Sequence, residues 1–200
     1  MNAVWNIHWE PPQAALFKPY GHRQYTQDRD MRALIYLAGL SGDEDIVEIG
    51  CNEGLLTANL AFHFPNRKVI GIDSGEPHPD QITEKPSEIG RFARGFRNVE
   101  LVAMSSNDTP WGRLNPSFVF VDGDHRFEQV VADTRAALNA LQRAQSRWVL
   151  AWHDYDHPWI ETWRGVGKAV REVSESRPVF AIEGTSIAYI TEDNLPDLFT

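Results

Sequence analysis

The stretch that decides the fold is residues 47–64, VEIGCNEGLLTANLAFHF, where an apolar run ends in a loop and a helical pattern follows. Two glycines, Gly50 and Gly54, stand where the predicted strand stops, and the carboxylate of Glu48 lies inside the apolar run. Glycine lacks a Cβ atom, so its backbone adopts positive φ angles readily and allows a ligand to approach closely. The stretch therefore predicts a strand, a ligand-binding loop and a helix in direct succession.

Similar apolar runs recur along the chain and alternate with helical patterns. Seven segments have strand character, at residues 45–50, 68–73, 99–104, 117–122, 147–153, 177–183 and 186–191. Helical patterns cover residues 28–40, 57–64, 86–96, 127–144 and 163–176. This alternation predicts an α/β fold, with a doubly wound and mostly parallel seven-stranded sheet covered by helices on both faces. The last two strands have no helix between them, so we expect them to form a C-terminal antiparallel hairpin.

Length, composition and charge limit the possible classes of protein. The chain has 200 residues, 42% of them hydrophobic, and a net charge of −9. This size fits one domain at residues 26–200, preceded by an N-terminal arm or lid at residues 1–25. The negative charge disfavours nucleic acid and anionic membranes as partners, and no apolar run is long enough to span a bilayer. The single cysteine, Cys51, fits a reducing compartment, so we expect a cytoplasmic protein. The tryptophans of the N-terminal arm make the protein a candidate homodimer.

Two acidic residues indicate what the loop binds. Asp73 ends the second predicted strand, about 20 residues after the loop, where dinucleotide-binding folds place a carboxylate that bonds ribose hydroxyls. The alternative is a tight strand-to-helix turn with an aspartate that caps a helix, which binds no ligand. Glu48 would repel a pyrophosphate in a buried site, whereas a cationic ligand suits it. S-Adenosylmethionine is such a ligand, because it has a sulfonium group and a ribose but no phosphate.

Two motifs carry a resemblance to a known family. Residues 48–54, EIGCNEG, resemble the first motif of class I S-adenosylmethionine-dependent methyltransferases, usually ExGxGxG, with Asn52 in place of the middle glycine. Residues 121–138, VDGDHRFEQVVADTRAAL, and residues 152–157, WHDYDH, resemble the subgroup of small-molecule and sugar O-methyltransferases. The resemblance implies a Rossmann-like fold, S-adenosyl-L-methionine as the cofactor and a small hydroxylated acceptor, such as a sugar or phenol.

The resemblance also implies which residues bind the cofactor. Glu48 orients the loop and the amino-acid part of the cofactor, and Asp73 holds the ribose diol. The other cofactor-binding candidates are Gly50, Cys51, Asn52 and Gly54 in the loop, Ser106 and Asn107 after the third predicted strand, and Asp122 after the fourth.

A second group of ionisable residues follows the fourth and fifth predicted strands. Its members are Asp122, Asp124, His125, His153, Asp154, Asp156 and His157. Adjacent parallel strands lie about 4.8 Å apart, so we expect these side chains to face one crevice. Converging carboxylates favour a cation, which makes Asp122, His153 and Asp154 candidate ligands for Mg²⁺ or another divalent ion. A hydrogen-bonded network without metal is the alternative.

Three residues of this group are candidates for catalysis. His125 and His153 are possible proton acceptors, because imidazole titrates near neutral pH, and Asp122 is expected to contact the substrate or the cofactor. Asp124 fits better as a partner of loop amides, and His157 as a surface residue.

Two other functions stay open from the sequence. An NAD(P)-binding oxidoreductase has a similar sheet, but the missing GxGxxG motif, Glu48 and the antiparallel ending disfavour it. A catalytically inactive cofactor-binding protein of the same fold is the other alternative, because Asn52 departs from the usual loop motif.

Overall fold

The computed structural model of the protein describes residues 4–10, 12–20, 26–76, 88–144, 146–155 and 164–192. Its strands are β1 (Val4–Ile7), β2 (Asp45–Ile49), β3 (Val69–Asp73), β4 (Val99–Ala103), β5 (Pro116–Val121), β6 (Val149–Trp152), β7 (Val179–Ile182) and β8 (Ala188–Thr191). Its α-helices are α1 (Asp28–Leu40), α2 (Leu55–His63), α3 (Phe127–Leu141) and α4 (Arg164–Ser174). All seven predicted strands and four of the five predicted helices are present, with small shifts at their ends.

The strands form one sheet in the spatial order β1-β7-β8-β6-β5-β2-β3-β4. Strand β8 pairs antiparallel with β6 and β7, and the other pairings are parallel. The predicted α/β class, mostly parallel sheet and antiparallel hairpin are confirmed. The sheet has one strand more than the seven predicted, because β1 of the N-terminal arm pairs with β7 at the edge. This strand has only four residues with an exposed centre, so its sequence shows no pattern of a core strand.

Helices cover both faces of the sheet. On one face α1 and α2 pack against strand residues such as Ile46 and Phe118, and on the other α3 and α4 pack against Val47 and Val119. Side chains alternate along a strand, so Glu48 projects to the same face as Ile46, under α2. None of the helices in the described ranges combines the length and apolar character that a membrane crossing requires.

The segment between β3 and β4 differs from its prediction. The pattern predicts a helix over residues 86–96, but the described part of this segment forms successive turns. Gly90 has a φ of 62° and donates its amide to the Asn52 carbonyl at 2.7 Å. The Phe92 amide donates to the Glu53 carbonyl at 2.9 Å. Because these amides bond to the loop after β2, tertiary contacts override the helical period of the sequence.

The N-terminal arm crosses α1 and α2 and is attached to both. The buried side chain of Asn59 on α2 accepts a hydrogen bond from the Phe17 amide at 2.7 Å and donates to the Phe17 carbonyl at 3.1 Å. Trp9 packs on Tyr36 of α1 with ring centroids 4.6 Å apart. The Phe17 ring meets the Phe96 ring edge-on. The arm therefore lies next to the segment that contacts the loop after β2.

We expect Asn59→Ala to release the arm from α2, because the amide and the carbonyl of Phe17 both lose their partner. The expected loss is about 1 to 3 kcal/mol of unfolding free energy, the usual penalty for buried polar groups left without partners. Limited chymotrypsin digestion measures the release, since cleavage after Phe17 should become faster. Asn66→Ala, at an exposed asparagine just after α2, is the matched control. Equal cleavage of the two variants would show that Asn59 does not hold the arm.

Candidate active site

The loop that follows β2 contains three residues with positive φ. Gly50, Asn52 and Gly54 have φ angles of 85°, 46° and 82°. A Cβ atom at Gly50 would lie 2.1 Å from the carbonyl oxygen of Asp122, and one at Gly54 would lie 2.7 Å from the Cα of Gly90. Both positions therefore require glycine, for the backbone angle and for space. The loop packs between the end of β5 and the turns that precede β4.

Asp73, the last residue of β3, fixes the shape of this loop. Its Oδ2 accepts a hydrogen bond from the Asn52 amide at 2.7 Å, and its Oδ1 accepts one from the Gly75 amide at 2.7 Å. The carboxylate predicted to bind ribose thus lies directly beside the glycine loop. Each carboxylate oxygen can accept a second hydrogen bond, so Asp73 still has acceptor capacity for hydroxyl groups.

Glu48 lies on β2 beneath the loop and is buried, with 3% of its surface exposed. Thr57 of α2 donates a hydrogen bond to its Oε2 at 2.5 Å. Burial, together with the negative charges of Asp122 and Asp73, raises the pKa of Glu48 to about 8. The side chain is therefore mainly protonated at neutral pH in the protein alone. This differs from the negative charge that the sequence predicts under the cofactor, and the physical reason is complete burial.

Cys51 contributes its backbone to the loop and keeps its side chain inside the protein. A Cβ atom on Gly71 of β3 would lie 3.0 Å from the Cys51 Sγ, so the thiol packs closely against that strand. Burial raises the pKa of the Cys51 thiol above its ordinary value. The thiol therefore stays protonated, and the main chain is the part of Cys51 that the loop can present to a ligand.

Ser106 and Asn107 lie in the loop after β4 and are held by α3. Ser106 Oγ donates to Asp133 Oδ1 at 2.6 Å, and Asn107 Nδ2 donates to Gln129 Oε1 at 3.0 Å. Gln129 Nε2 also donates to Asp133 Oδ1 at 2.8 Å. Burial raises the pKa of Asp133, and its Oδ2 bonds to no group in the described part of the chain. The two residues predicted near adenine thus belong to one network that links β4 to α3.

Four ionisable residues meet at the ends of β5 and β6. Asp122 and His153 directly follow these two paired strands. His153 Nδ1 lies 3.2 Å from Asp122 Oδ1 and 3.2 Å from Asp154 Oδ2. His125 Nε2 lies 3.6 Å from Asp122 Oδ1 and 3.5 Å from Asp154 Oδ2. The structure therefore brings together all four residues that the sequence predicts for catalysis and metal binding; we refer to them as the Asp–His cluster.

The charges in the Asp–His cluster compensate one another. Burial opposes ionisation of Asp122, but the positive charge of His153 and hydrogen bonds from both histidines hold the pKa of Asp122 at about 2. Burial also opposes the charged form of His153, but Asp122 and hydrogen bonds to three carboxylates raise the pKa of His153 well above its ordinary value. In the protein alone, His153 is therefore the cation between Asp122 and Asp154.

Residues 47–155, which contain both the glycine loop and the Asp–His cluster, match a known protein family described as a methyltransferase domain. The match covers more than half of the chain. The chain belongs to this methyltransferase family. The resemblance carried by the sequence motifs is thereby confirmed. A comparison with curated protein sequences finds no significant match.

Solved structures share the fold of this methyltransferase. Cofactor-bound Rv0187 from MTB has a TM-score of 0.62 and 19% identity, over 84% of this chain and 81% of that chain. An O-methyltransferase from Bacillus cereus in complex with SAH has a TM-score of 0.55 and 16% identity, over 82% and 80% of the two chains. The O-methyltransferase TomG from Streptomyces achromogenes, involved in tomaymycin synthesis and bound to SAM, has a TM-score of 0.53 and 19% identity, over 80% of this chain and 78% of that chain. These matches confirm the predicted Rossmann-like fold.

Three side chains of the methyltransferase are arranged in a way that can hold a cation. Asp122, His153 and Asp154 each offer one ligand atom, and these atoms lie within 4.8 Å of one another. Asp154 has a positive φ of 53°, which aspartate tolerates better than most residues. Two carboxylate oxygens and an imidazole nitrogen form a donor set that divalent cations accept. The residues present therefore fit the predicted metal.

Asp124 of the methyltransferase forms an ion pair with Arg126. Its Oδ1 accepts a hydrogen bond from the Arg126 amide at 2.9 Å, and its Oδ2 accepts one from Arg126 Nε at 2.7 Å on the exposed side of the loop. The bond from the Arg126 amide agrees with the loop-amide role that the sequence favours for Asp124. Asp156 and His157 lie outside the described residues.

Three polar residues on helices support the site, and the sequence interpretation missed them. They are Asp30 on α1, Thr57 on α2 and Asp133 on α3, which contact His153, Glu48 and Ser106 in turn. A signal was available for Asp30, because it shares the buried face of α1 with Leu34 and Leu37 at helical spacing. A carboxylate in phase with an apolar helix face predicts a buried polar partner.

We expect Glu48→Gln to change how stability depends on pH. Between pH 4.5 and about 8 the folded protein retains a proton on Glu48 that the unfolded chain has lost, so wild-type stability falls as the pH rises through this range. The glutamine variant lacks this loss, and the difference should grow by up to about 1.4 kcal/mol per pH unit. Urea unfolding at several pH values measures it, with Glu100→Gln on the exposed edge strand as the control. Parallel profiles for wild type and Glu48→Gln would contradict the raised pKa.

Proposed function

We propose that the protein transfers a methyl group from S-adenosylmethionine to a hydroxyl oxygen of a small molecule. The observation that carries this proposal is the position of the glycine loop directly beside the Asp–His cluster, at the ends of adjacent strands. The loop suits an adenosyl donor, and the cluster suits a hydroxyl acceptor. Membership of the methyltransferase family supports the reaction, and the SAM-bound and SAH-bound O-methyltransferases of the same fold support the donor and the acceptor atom.

The donor side is formed mainly by backbone groups. Helix α2 has Gly54 as its N-cap and no side-chain cap there, so the amides of Leu55 and Leu56 can face polar groups of a ligand, while the Thr57 amide bonds to Glu48. In the proposal the methionine part of the donor lies over Gly50 and Gly54, and the ribose hydroxyls bond to Asp73. The adenine ring then lies on the side of Ser106 and Asn107.

The acceptor side has a proton acceptor and a fixed charge. S-Adenosylmethionine supplies an electrophilic methyl group when bound, and a divalent cation favours the loss of a proton from a hydroxyl. His125 directs Nε2 at Asp122 and Asp154, at 3.6 Å and 3.5 Å, so its Nδ1 carries the lone pair of the neutral ring and accepts that proton in the proposal. His153 already faces three carboxylates, so His125 is the better proton acceptor.

Asp122 connects the two sides. Its carbonyl oxygen packs against Gly50 of the loop, and its carboxylate faces both histidines of the cluster. The distance between a donor over the loop and an acceptor at the cluster is therefore set by one residue on a rigid strand end. Holding two reactants at a fixed distance and orientation is a large part of the rate enhancement in such a transfer.

The overall charge supports a small-molecule acceptor. The net charge of −9 opposes the binding of nucleic acid and of anionic membranes. A sugar or a phenol has hydroxyl groups that fit the cluster and carries no phosphate backbone.

S-Adenosylhomocysteine should bind to the protein and raise its melting temperature, whereas NAD should have no effect. Asp73→Asn should weaken binding by roughly 1.5 to 3 kcal/mol, because a hydrogen bond from ribose to a charged group is lost. Calorimetry measures the affinity, and Asp108→Asn, at an exposed aspartate, is the control. Equal shifts with NAD, or no shift with either ligand, would contradict the proposed donor. Binding without methyl transfer to any of a broad set of hydroxyl compounds would favour an inactive cofactor-binding protein.

Mg²⁺ or Mn²⁺ should stimulate methyl transfer, and Asp154→Asn should abolish the stimulation. The asparagine keeps the left-handed backbone conformation but removes a charged ligand, so we expect roughly a 100-fold loss of rate, or about 3 kcal/mol. The control is Asp124→Asn, which changes an aspartate of the same region that bonds to Arg126. Full wild-type activity in excess chelator would eliminate the metal from the proposal.

A further inference from the structure

Asp30 is a buried carboxylate that reaches the Asp–His cluster from a helix. It lies in the first turn of α1 with 2% of its surface exposed, and its Oδ2 lies 3.2 Å from His153 Nε2. Its Oδ1 is buried and bonds to no group in the described ranges. A buried carboxylate is unfavourable without a partner that compensates its charge. His153 is that partner, so Asp30 and His153 have to be considered together.

The imidazole of His153 is held from both sides. Its Nε2 faces Asp30, while its Nδ1 faces Asp122 and Asp154 at 3.2 Å each. The ring also packs edge-on against Phe120 of β5, with centroids 6.0 Å apart. When the hydrogen on Nε2 is donated to Asp30, the lone pair of the neutral ring lies on Nδ1, toward the two carboxylates. A carboxylate behind a histidine in this manner is how metalloproteins select the tautomer and orient the ligand.

We propose that Asp30 is the positioning residue that directs Nδ1 of His153 at a cation, and that the resulting site selects Mn²⁺ over Mg²⁺. This inference rests on the metal that forms part of the proposed function. Imidazole nitrogen is a good ligand for first-row transition ions, whereas Mg²⁺ prefers oxygen ligands and retains its waters. The carboxylates of Asp122 and Asp154 accept either ion. The preference therefore comes from His153, and through its orientation from Asp30.

A purely structural role for Asp30 makes a different prediction. A buried ion pair that only joins α1 to the sheet would contribute to stability and leave the choice of ion unchanged. Ion selectivity is therefore the quantity that separates the two roles.

The experiment is a titration of the full chain with Mn²⁺, in which the EPR signal of the free ion measures how much Mn²⁺ is unbound. The affinity for Mg²⁺ is then measured by its competition with Mn²⁺. The wild type should bind Mn²⁺ at least about tenfold more tightly than Mg²⁺, and Asp30→Asn should weaken Mn²⁺ binding by about 10 to 100-fold with a much smaller effect on Mg²⁺. Circular dichroism establishes that the variant is folded. Asp28→Asn is the matched control, because it lies in the same turn of α1 and removes a carboxylate that forms a partly exposed pair with Lys18.

Unchanged Mn²⁺ affinity in folded Asp30→Asn would overturn the proposal, as would a wild type that binds both ions equally or binds neither. A spin-echo EPR spectrum of the wild type with Mn²⁺ should show a coordinated imidazole nitrogen. That measurement needs no variant, so a missing nitrogen signal would overturn the proposal even if Asp30→Asn did not fold. None of these measurements needs a methyl acceptor. Selective Mn²⁺ binding in a protein without methyl transfer would support this inference and count against the proposed function.

Discussion

The site depends on the register of three parallel strands, β2, β5 and β6. Ile49 pairs with Val121, and Val121 pairs with Trp152, so the three strands end at the same level. The groups that follow these strands are the glycine loop, Asp122 and His153. They meet because neighbouring strands in a sheet are only about 4.8 Å apart. The first glycine of the loop completes the contact, since a Cβ atom there would overlap the carbonyl of Asp122. A register shift of one residue would turn these groups to the opposite face of the sheet.

Three flanking helices each supply a buried polar side chain that supports a group at the strand ends. These side chains are Asp30 on α1, Thr57 on α2 and Asp133 on α3. Each bonds to the sheet or to one of its loops, because a buried polar group needs a partner inside the protein. The site therefore has an inner layer on the strand ends and an outer layer on the helices. The orientation of the inner side chains depends on how the helices pack on the sheet.

The two halves of the site contain carboxyl groups in different protonation states. Burial raises the pKa of Glu48 beneath the loop to about 8, since the nearest charges, those of Asp122 and Asp73, are also negative. Asp122 stays ionised because the positively charged His153 lies beside it. One rule explains both states, which is that a buried charge persists only next to an opposite charge. Glu48 is therefore neutral beneath the loop, while Asp122 stays charged at the end of β5.

The sequence by itself determined the order of strands and helices, the antiparallel ending, the glycine loop and the ionisable residues at the strand ends, because periodicity and residue type are local properties. The tertiary structure decided the rest. The helical period of residues 86–96 gives way to hydrogen bonds with the loop after β2, and β1 forms only by pairing with β7. The protonated state of Glu48 and the approach of Asp30 to His153 arise from contacts between distant parts of the chain, which no local pattern encodes.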